Sequence, residues 1–395
     1  MLLIDEQAAR EETPGSLDRV FLDSAGSSLP PRRVVHAVVQ HINREAAVGG
    51  YRAAAERAGD LAQLKESLGR LLGCEARSIA LADSCTRAWT QFVHAIPFTA
   101  GDRVLIGHSE YANNALNLLW LARSAGVRIE IIPDRAEGGI DLGRMEDLMD
   151  ERVRLVSAVH VPSNGGLVNP VREIADIAHA HGALVLLDAS QSVGQLVTDV
   201  RDLAVDGLAG TGRKWLRGPR GTGFLFVRPG LARMLEPAVL DQRGATWSSP
   251  QSYEWRDDAT RFELSETNIA ALLGLKAAAE YLLELSPAAV QSSVSSKAEH
   301  LRSGLASIAG VKVHDLGRVR SGIVSFTVAG IHPAAARDQL WDLGIAVASI
   351  ERSNTLLDMA DRHLEGIIRA SPHYFVANDQ LDQALEAVRR LAKRL

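Results

Sequence analysis

Thr211-Gly212-Arg213-Lys214-Trp215-Leu216-Arg217-Gly218-Pro219-Arg220-Gly221-Thr222-Gly223-Phe224-Leu225-Phe226-Val227 sets one lysine among arginines, a hydroxyl and glycines, directly before an apolar run of strand type. Upstream, Ala183-Leu184-Val185-Leu186-Leu187-Asp188-Ala189 is a continuous apolar run that ends in an acid. Short apolar runs without polar alternation suit strands covered on both faces, as in parallel sheets. Open α/β sheets bind their ligands at the C-terminal ends of such strands. The carboxylate of Asp188 and the loop that carries Lys214 are both expected there.

Outward from this stretch, strand and helix patterns alternate. Strands are predicted over 78–82, 103–106, 127–132, 155–161 and 183–188. Helices are predicted from Ser84 onward and over 114–125, 141–149 and 171–181. The expected fold is α/β, a mostly parallel sheet covered by helices on both faces. Ahead of it, residues 1–19 are polar and read as a loose arm. Pro30 and Pro31 open a helix to about residue 47, and Gly49-Gly50-Tyr51 breaks it. Leu61, Leu64, Leu68, Leu71 and Leu72 share one face of a helix over 56–72 that Gly73 ends. Beyond about residue 240 the pattern changes. Residues 241–258 are polar, aromatic and irregular, and helices follow over 268–285 and 288–308. Short strands are predicted at 311–313, 323–327, near 345–347 and at 366–371, with a helix from Pro333 and a last one from Asp379 to the end. The expected division is an arm (1–20), a large domain (21–260), a connecting helix (261–285) and a smaller α+β domain (286–395).

The chain has 395 residues, 46% hydrophobic and 23% charged, with a net charge of −5. That balance suits an ordinary soluble globular protein and argues against a dedicated nucleic-acid binder. No apolar run approaches the length of a membrane span. The first residues lack a basic segment followed by an apolar one, so no secretion signal is expected. The two cysteines, Cys74 and Cys85, form no CxxC pair, which speaks against a zinc site or a disulfide framework. No metal is expected, and a reducing cytoplasm fits.

A lysine that can condense with an aldehyde, a carboxylate at a strand end and spare donors for a phosphate are what a pyridoxal phosphate (PLP) enzyme requires. Each residue also has a plainer reading. Lys214 suits a solvated loop, although Arg213 beside it would hold its pKa down; the GxxxxGK[ST] order of a P-loop is absent. Asp188 either caps a strand end or pairs with the pyridine nitrogen. Gln191 is either a turn residue or a contact to the ring's phenolic oxygen. Ser84, Cys85 and Thr86 stand at a strand-to-helix junction, either as an anion site or as a plain N-cap; Cys85 suits a small buried residue better than a nucleophile. Tyr111 either stacks on a flat ring or covers a helix start. Ser163 and Asn164 either touch the cofactor's edge or form a turn. Arg369 either binds a substrate carboxylate or is salt-bridged at the surface. His108, His160 and His373 read as core or loop residues.

Together these segments resemble a fold-type I PLP enzyme of the aminotransferase class V group, over about residues 20–390. That group includes cysteine desulfurases, isopenicillin N epimerase-like proteins and kynureninase relatives. The most specific piece is Asp188-x-x-Gln191 followed by Thr211-x-Arg213-Lys214. The resemblance implies Lys214 as the lysine that carries PLP, Asp188 as the pyridine partner and Gln191 as the phenolate contact. It implies a phosphate cup of Ser84, Cys85, Thr86, Thr211 and Arg213, and Tyr111 as the stacking ring where desulfurases carry histidine. Arg369 would bind the α-carboxylate of a small amino-acid substrate, with Glu266 and Ser27 also on the substrate side. A homodimer is implied as well.

Within the group the sequence resembles the C–S lyases of ergothioneine biosynthesis, which act on hercynylcysteine sulfoxide, through residues 44–51, 213–221, 262–268 and 368–373. Two departures from the desulfurases stand out. No cysteine follows Cys85, so the loop before Arg369 lacks the mobile thiol a desulfurase needs. Glu266, in Ser265-Glu266-Thr267, stands where a threonine reaching across a dimer is expected. The implied activity is β-elimination from an S-substituted cysteine or its sulfoxide, giving a sulfur product, pyruvate and ammonia. The same carbanion serves transamination or epimerisation of a small amino acid. A non-catalytic PLP-fold binding protein is a further alternative, against which intact Lys214, Asp188 and Arg369 speak.

Overall fold

The computed structural model describes residues 4–393. The leader reading of residues 1–3 and the last two residues of the predicted final helix lie outside that range. Among the described residues seven strands form one sheet: β1 (Ile79–Ala82), β2 (Arg103–Gly107), β3 (Arg128–Ile132), β4 (Val153–Val159), β5 (Leu184–Asp188), β6 (Gly207–Thr211) and β7 (Gly223–Val227). Their order is β3-β2-β4-β5-β6-β7-β1. Neighbours from β3 to β6 are parallel, and β7 runs antiparallel to both β6 and β1. This is the expected mostly parallel α/β sheet.

The apolar runs have a simple cause. Leu155, Leu186 and Ala209 feed one core, with Trp89, Phe92 and Val93 of the helix Cys85–His94. Val156, Val185, Leu187 and Leu208 feed the other, with Ile174, Ala175 and Ala178 of the helix Val171–Ala180. A strand that supplies two cores has no polar face to alternate with.

β6 was not among the predicted strands, because it reads Gly-Leu-Ala-Gly-Thr. Its glycines answer to packing. A Cβ on Gly207 would stand 2.6 Å from the Phe92 ring, and one on Gly210 2.2 Å from that of Phe224. Strand propensity therefore gives way to close approach.

Four further strands, β8 (Val311–Val313), β9 (Val324–Val328), β10 (Ala348–Glu351) and β11 (Gly366–Ala370), make an antiparallel sheet ordered β8-β9-β11-β10. The N-terminal segment is stitched to this part of the chain rather than to the large sheet. Val20 and Phe21 pair with Ile345 and Ala346, and Asp23 bridges to Ser371.

Three expectations are corrected. The arm is not loose: Glu6–Glu11 and Gly15–Asp18 are helical, Thr13 is fully buried, and the Gln380 amide donates to the Ser16 carbonyl at 3.0 Å. The helix Arg32–Val48 does end at Gly49, whose φ of 83° favours glycine, but a further helix, Gly50–Glu56, follows directly. The region 241–258 holds a hairpin, Ala245–Ser249 against Ser252–Trp255. Its strands are largely exposed, so no apolar alternation marks them.

Candidate active site

One edge of the large sheet gathers the chemistry. Asp188 ends β5, and Thr211 ends β6. Gly223 opens the antiparallel β7 and pairs with both Thr211 and Ala82, the last residue of β1. Ser84, two residues past Ala82, caps the helix Cys85–His94 by accepting from the Arg87 amide at 3.2 Å. A Cβ on Gly223 would lie 2.5 Å from the Ser84 carbonyl carbon and 2.9 Å from the Cys85 nitrogen. Only glycine lets β7 pass this close beneath the helix N-terminus.

A cavity of about 90 Å³ opens at this edge. Ser84, Cys85, Thr86, Tyr111, Asp188, Thr211, Arg213 and Lys214, all picked out from the sequence, line it together. Asn113, Asn114 and Ser190 line it too and were missed. Asp188 accepts from the Ser190 amide at 2.9 Å and the Asn114 side chain at 3.0 Å, with the Cys85 thiol at 3.7 Å. Asn114 in turn donates to the buried Glu110 at 2.9 Å. Asn114 lies in the first turn of the helix Ala112–Ala125, where nothing in the sequence sets it apart from Asn113.

The other predicted residues lie elsewhere. Gln191 is not in the cavity lining. Its oxygen accepts from the Trp215 indole at 2.9 Å and its nitrogen donates to the Ala25 carbonyl at 3.1 Å. The Asn164 amide is spent on Asp358 at 2.5 Å. The Ser163 carbonyl accepts from Arg369 at 3.0 Å, while its hydroxyl is buried without a partner. Arg369, on β11, is 4% exposed rather than a surface arginine; it also pairs with Asp23 at 3.1 Å, and its Nε is buried without a partner. Ser27 is half-buried in the short helix Ser24–Ser27, beside the Gly26 carbonyl that receives the Arg213 guanidinium. Glu266 is exposed and faces a neighbouring depression with Asp83, Arg87 and Gln91, outside the cavity.

The basic loop divides its labour. Arg213 faces the cavity, whereas Arg217, at a φ of 64° and 1% exposed, bonds Leu29, Tyr374 and Thr13 and lies over the Phe375 ring. It anchors the N-terminal arm instead of an anion.

Burial lowers the Lys214 amine to about 8, with Arg213 and Arg369 pushing the same way against Asp188. The side chain is partly open to the cleft, yet the amine itself is desolvated. Burial, then Asp188, pushes the Cys85 thiol far up, which makes it a poor nucleophile. His160 and His373 are pushed down to about 4 and about 3 by burial and stay neutral. His373 donates from Nε2 to the Trp215 carbonyl at 3.0 Å and accepts the Tyr374 amide at Nδ1, a core role.

These groups fit PLP. The helix N-terminus with Ser84 and Thr86 suits a phosphate, and Gly223 leaves room at it. Asp188 offers its carboxylate from a buried strand end, and the orphaned Arg369 and Ser163 atoms are polar groups that a ligand satisfies. The free amine is the form that reacts with an aldehyde. Apoprotein should therefore take up PLP faster as pH rises, with the rate levelling above about 8 instead of near the 10.5 of an ordinary lysine. Stopped-flow absorbance across that range checks this.

Comparison with known proteins agrees with the α/β fold. The aminotransferase class-V family model matches residues 20–384. The chain is similar to a probable cysteine desulfurase of Methanothermobacter thermautotrophicus, 29% identical over 398 residues and 99% of each chain. Among solved structures, the apo cysteine desulfurase of Thermococcus onnurineus NA1 matches with a TM-score of 0.91 at 25% identity, over 98% of both chains. The cystine C–S lyase C-DES, in complex with its product cysteine persulfide, matches with a TM-score of 0.86 at 24% identity, over 96% of this chain and 99% of its own; that likeness speaks for the fold alone.

Proposed function

The chain belongs to the class V aminotransferase family, as an enzyme whose cofactor is PLP, and from that premise we propose that it is a C–S lyase. Its substrate is an S-substituted cysteine or the corresponding sulfoxide, and its products are a sulfur compound, pyruvate and ammonia.

The observation that carries this reading is the state of the thiols. Forming a persulfide requires a thiolate to receive sulfur. The sequence has two cysteines. Cys74 is pushed up to about 12 by burial, and Cys85 is buried and pushed up further. Residues 349–364 contain none. With no acceptor thiol at hand, sulfur leaves with the product of elimination.

Bound PLP supplies an electron sink for negative charge at the substrate Cα. Lys214 would carry the cofactor and, as free amine, take the Cα proton; an amine lowered to about 8 is suited to that task near neutral pH. Asp188, held by Asn114 and Ser190, would keep the pyridine nitrogen protonated. Ser84, Thr86, Thr211 and Arg213 would hold the phosphate, and Tyr111 would stack on the ring. Arg369 would orient the substrate carboxylate. The Cβ–S bond breaks with its electron pair going to sulfur, and the released enamine takes up water to give pyruvate and ammonia.

The finer reading, a substrate of the hercynylcysteine sulfoxide type and hence a step in ergothioneine biosynthesis, rests on the sequence likeness in residues 44–51, 213–221, 262–268 and 368–373. The names of the relatives lend it no support; they favour desulfuration of cysteine itself. A homodimer in the cytoplasm completes the proposal. Among the described residues no helix is long and apolar enough to cross a membrane.

The test is a panel of S-substituted cysteines and their sulfoxides with pyruvate as the readout. Pyruvate and ammonia in equal amounts, with no added thiol, are expected. A keto acid of unchanged carbon skeleton would mean transamination. Sulfur release from cysteine alone would mean desulfuration. Either result overturns the lyase reading.

A further inference from the structure

Two buried carboxylates sit on either side of one amide. The Asn114 nitrogen donates to Asp188 Oδ2 at 3.0 Å and to Glu110 Oε1 at 2.9 Å. The same Glu110 oxygen accepts the Tyr111 amide at 2.8 Å, and its other oxygen accepts the Ser157 hydroxyl at 2.9 Å. Glu110 is 3% exposed and outside the cavity lining, so it touches neither substrate nor cofactor. Yet it fixes the residue that would stack on the ring and, through Asn114, the one that would pair with the ring nitrogen. Among the described residues no cation pairs with it. A structural acid gains nothing from a charge in such a place, where an amide would make the same bonds.

We propose that Glu110 is a positioning residue that tunes PLP binding, its negative charge reinforcing Asp188 through the shared Asn114 amide. A second negative charge behind Asp188 raises the preference of that site for a protonated ring nitrogen. Burial, with a smaller part from Asp188, raises Glu110 to about 7, so the charge comes and goes around neutral pH. The groups about it allow this. Asp188 lies across Asn114, with Lys214 and the Cys85 thiol beyond it. His160, which follows the strand bearing Ser157, is neutral. His108, two residues upstream, lies 4.0 Å from Asp134. Tyr111 approaches through its backbone. The inference rests on the PLP site but not on which bond the enzyme cuts.

Glu110→Gln tests it. The Gln oxygen can accept from Tyr111 and Asn114 while its NH2 donates to the Ser157 hydroxyl, so the bonds survive and the charge is lost. The readouts are the PLP dissociation constant of the full-length protein and the visible spectrum of the holoenzyme, both without substrate. At about pH 8 the variant should bind PLP about tenfold more weakly than wild type. At about pH 6, where wild-type Glu110 is protonated, the two should agree. A defect of equal size at both pH values, or none at either, overturns the proposal. Should the variant not fold, Ser157→Ala replaces it. Loss of one bond to the carboxylate moves the wild-type step in PLP affinity to higher pH, and an unmoved step is equally fatal. Pyruvate formation plays no part, so failure of the lyase reading is distinguishable from failure here.

Discussion

Lys214→Ala should abolish the visible absorbance of the holoenzyme and lower turnover by about 10³-fold or more. Two functions are lost together: the covalent hold on PLP and the base that takes the Cα proton. The fold should be retained, because the loop around Lys214 is held by other groups. The Arg217 amide bonds the Lys214 carbonyl, Gly218 bonds Gly212, and Arg217 is locked by Leu29, Tyr374 and Thr13. The sign of the stability change follows from the amine's lowered pKa. A lysine whose folded pKa falls to about 8 is destabilising at pH values below that, where its charge is kept desolvated. Its removal should leave the melting temperature at pH 7 unchanged or raised. A colourless, well-folded protein without activity is the expected result; a variant that keeps its colour and turns over normally would remove Lys214 from the chemistry.

The places of Asp188 and Lys214 at one cavity were legible because their sequence signals are local. One ends an apolar strand, the other sits in a glycine-rich loop directly before an apolar run of strand type, and the sheet rule puts such ligand-binding loops on one edge. Asn114 was not legible. Its partner is 74 residues away, and nothing between residues 112 and 125 marks one asparagine over its neighbours Asn113 and Asn117. Glu110, next to Tyr111, was not singled out either, because a buried acid and a solvated one look alike in sequence. Arg213 and Arg217 show the same limit from the other side. The loop's composition alone does not separate their surroundings. Tertiary packing sends one to the cavity and the other to Phe375 and Tyr374. Gln191 has the right spacing from Asp188, but Trp215 and Ala25 claim its carboxamide. The large sheet was readable wherever strands are apolar on both faces. It failed at β6, where Phe92 and Phe224 demand glycine.

Arg369→Ala should raise KM for an α-amino acid substrate by about 10²-fold or more while PLP absorbance persists. Loss of one partner from a buried, hydrogen-bonded charge pair costs about 2–5 kcal/mol. The geometry says which edge of the guanidinium is in use. Nη1 donates to the Ser163 carbonyl and Nη2 to Asp23, both at ordinary distances, whereas Nε is buried and free. Two of the three nitrogens thus fix the plane, and the third, with the remaining Nη2 hydrogen, forms a fork that a carboxylate can accept. Asp23 is tied into this through the bridge of its own segment to Ser371, two residues past Arg369. Arg369→Lys should therefore rescue little, since an ammonium on a flexible stem reproduces the charge but neither the plane nor the fork. A substrate amide, lacking the carboxylate, should be turned over poorly by wild type and no worse by Arg369→Ala. Equal losses on acid and amide would show that the arginine holds the fold of β11 and not the substrate.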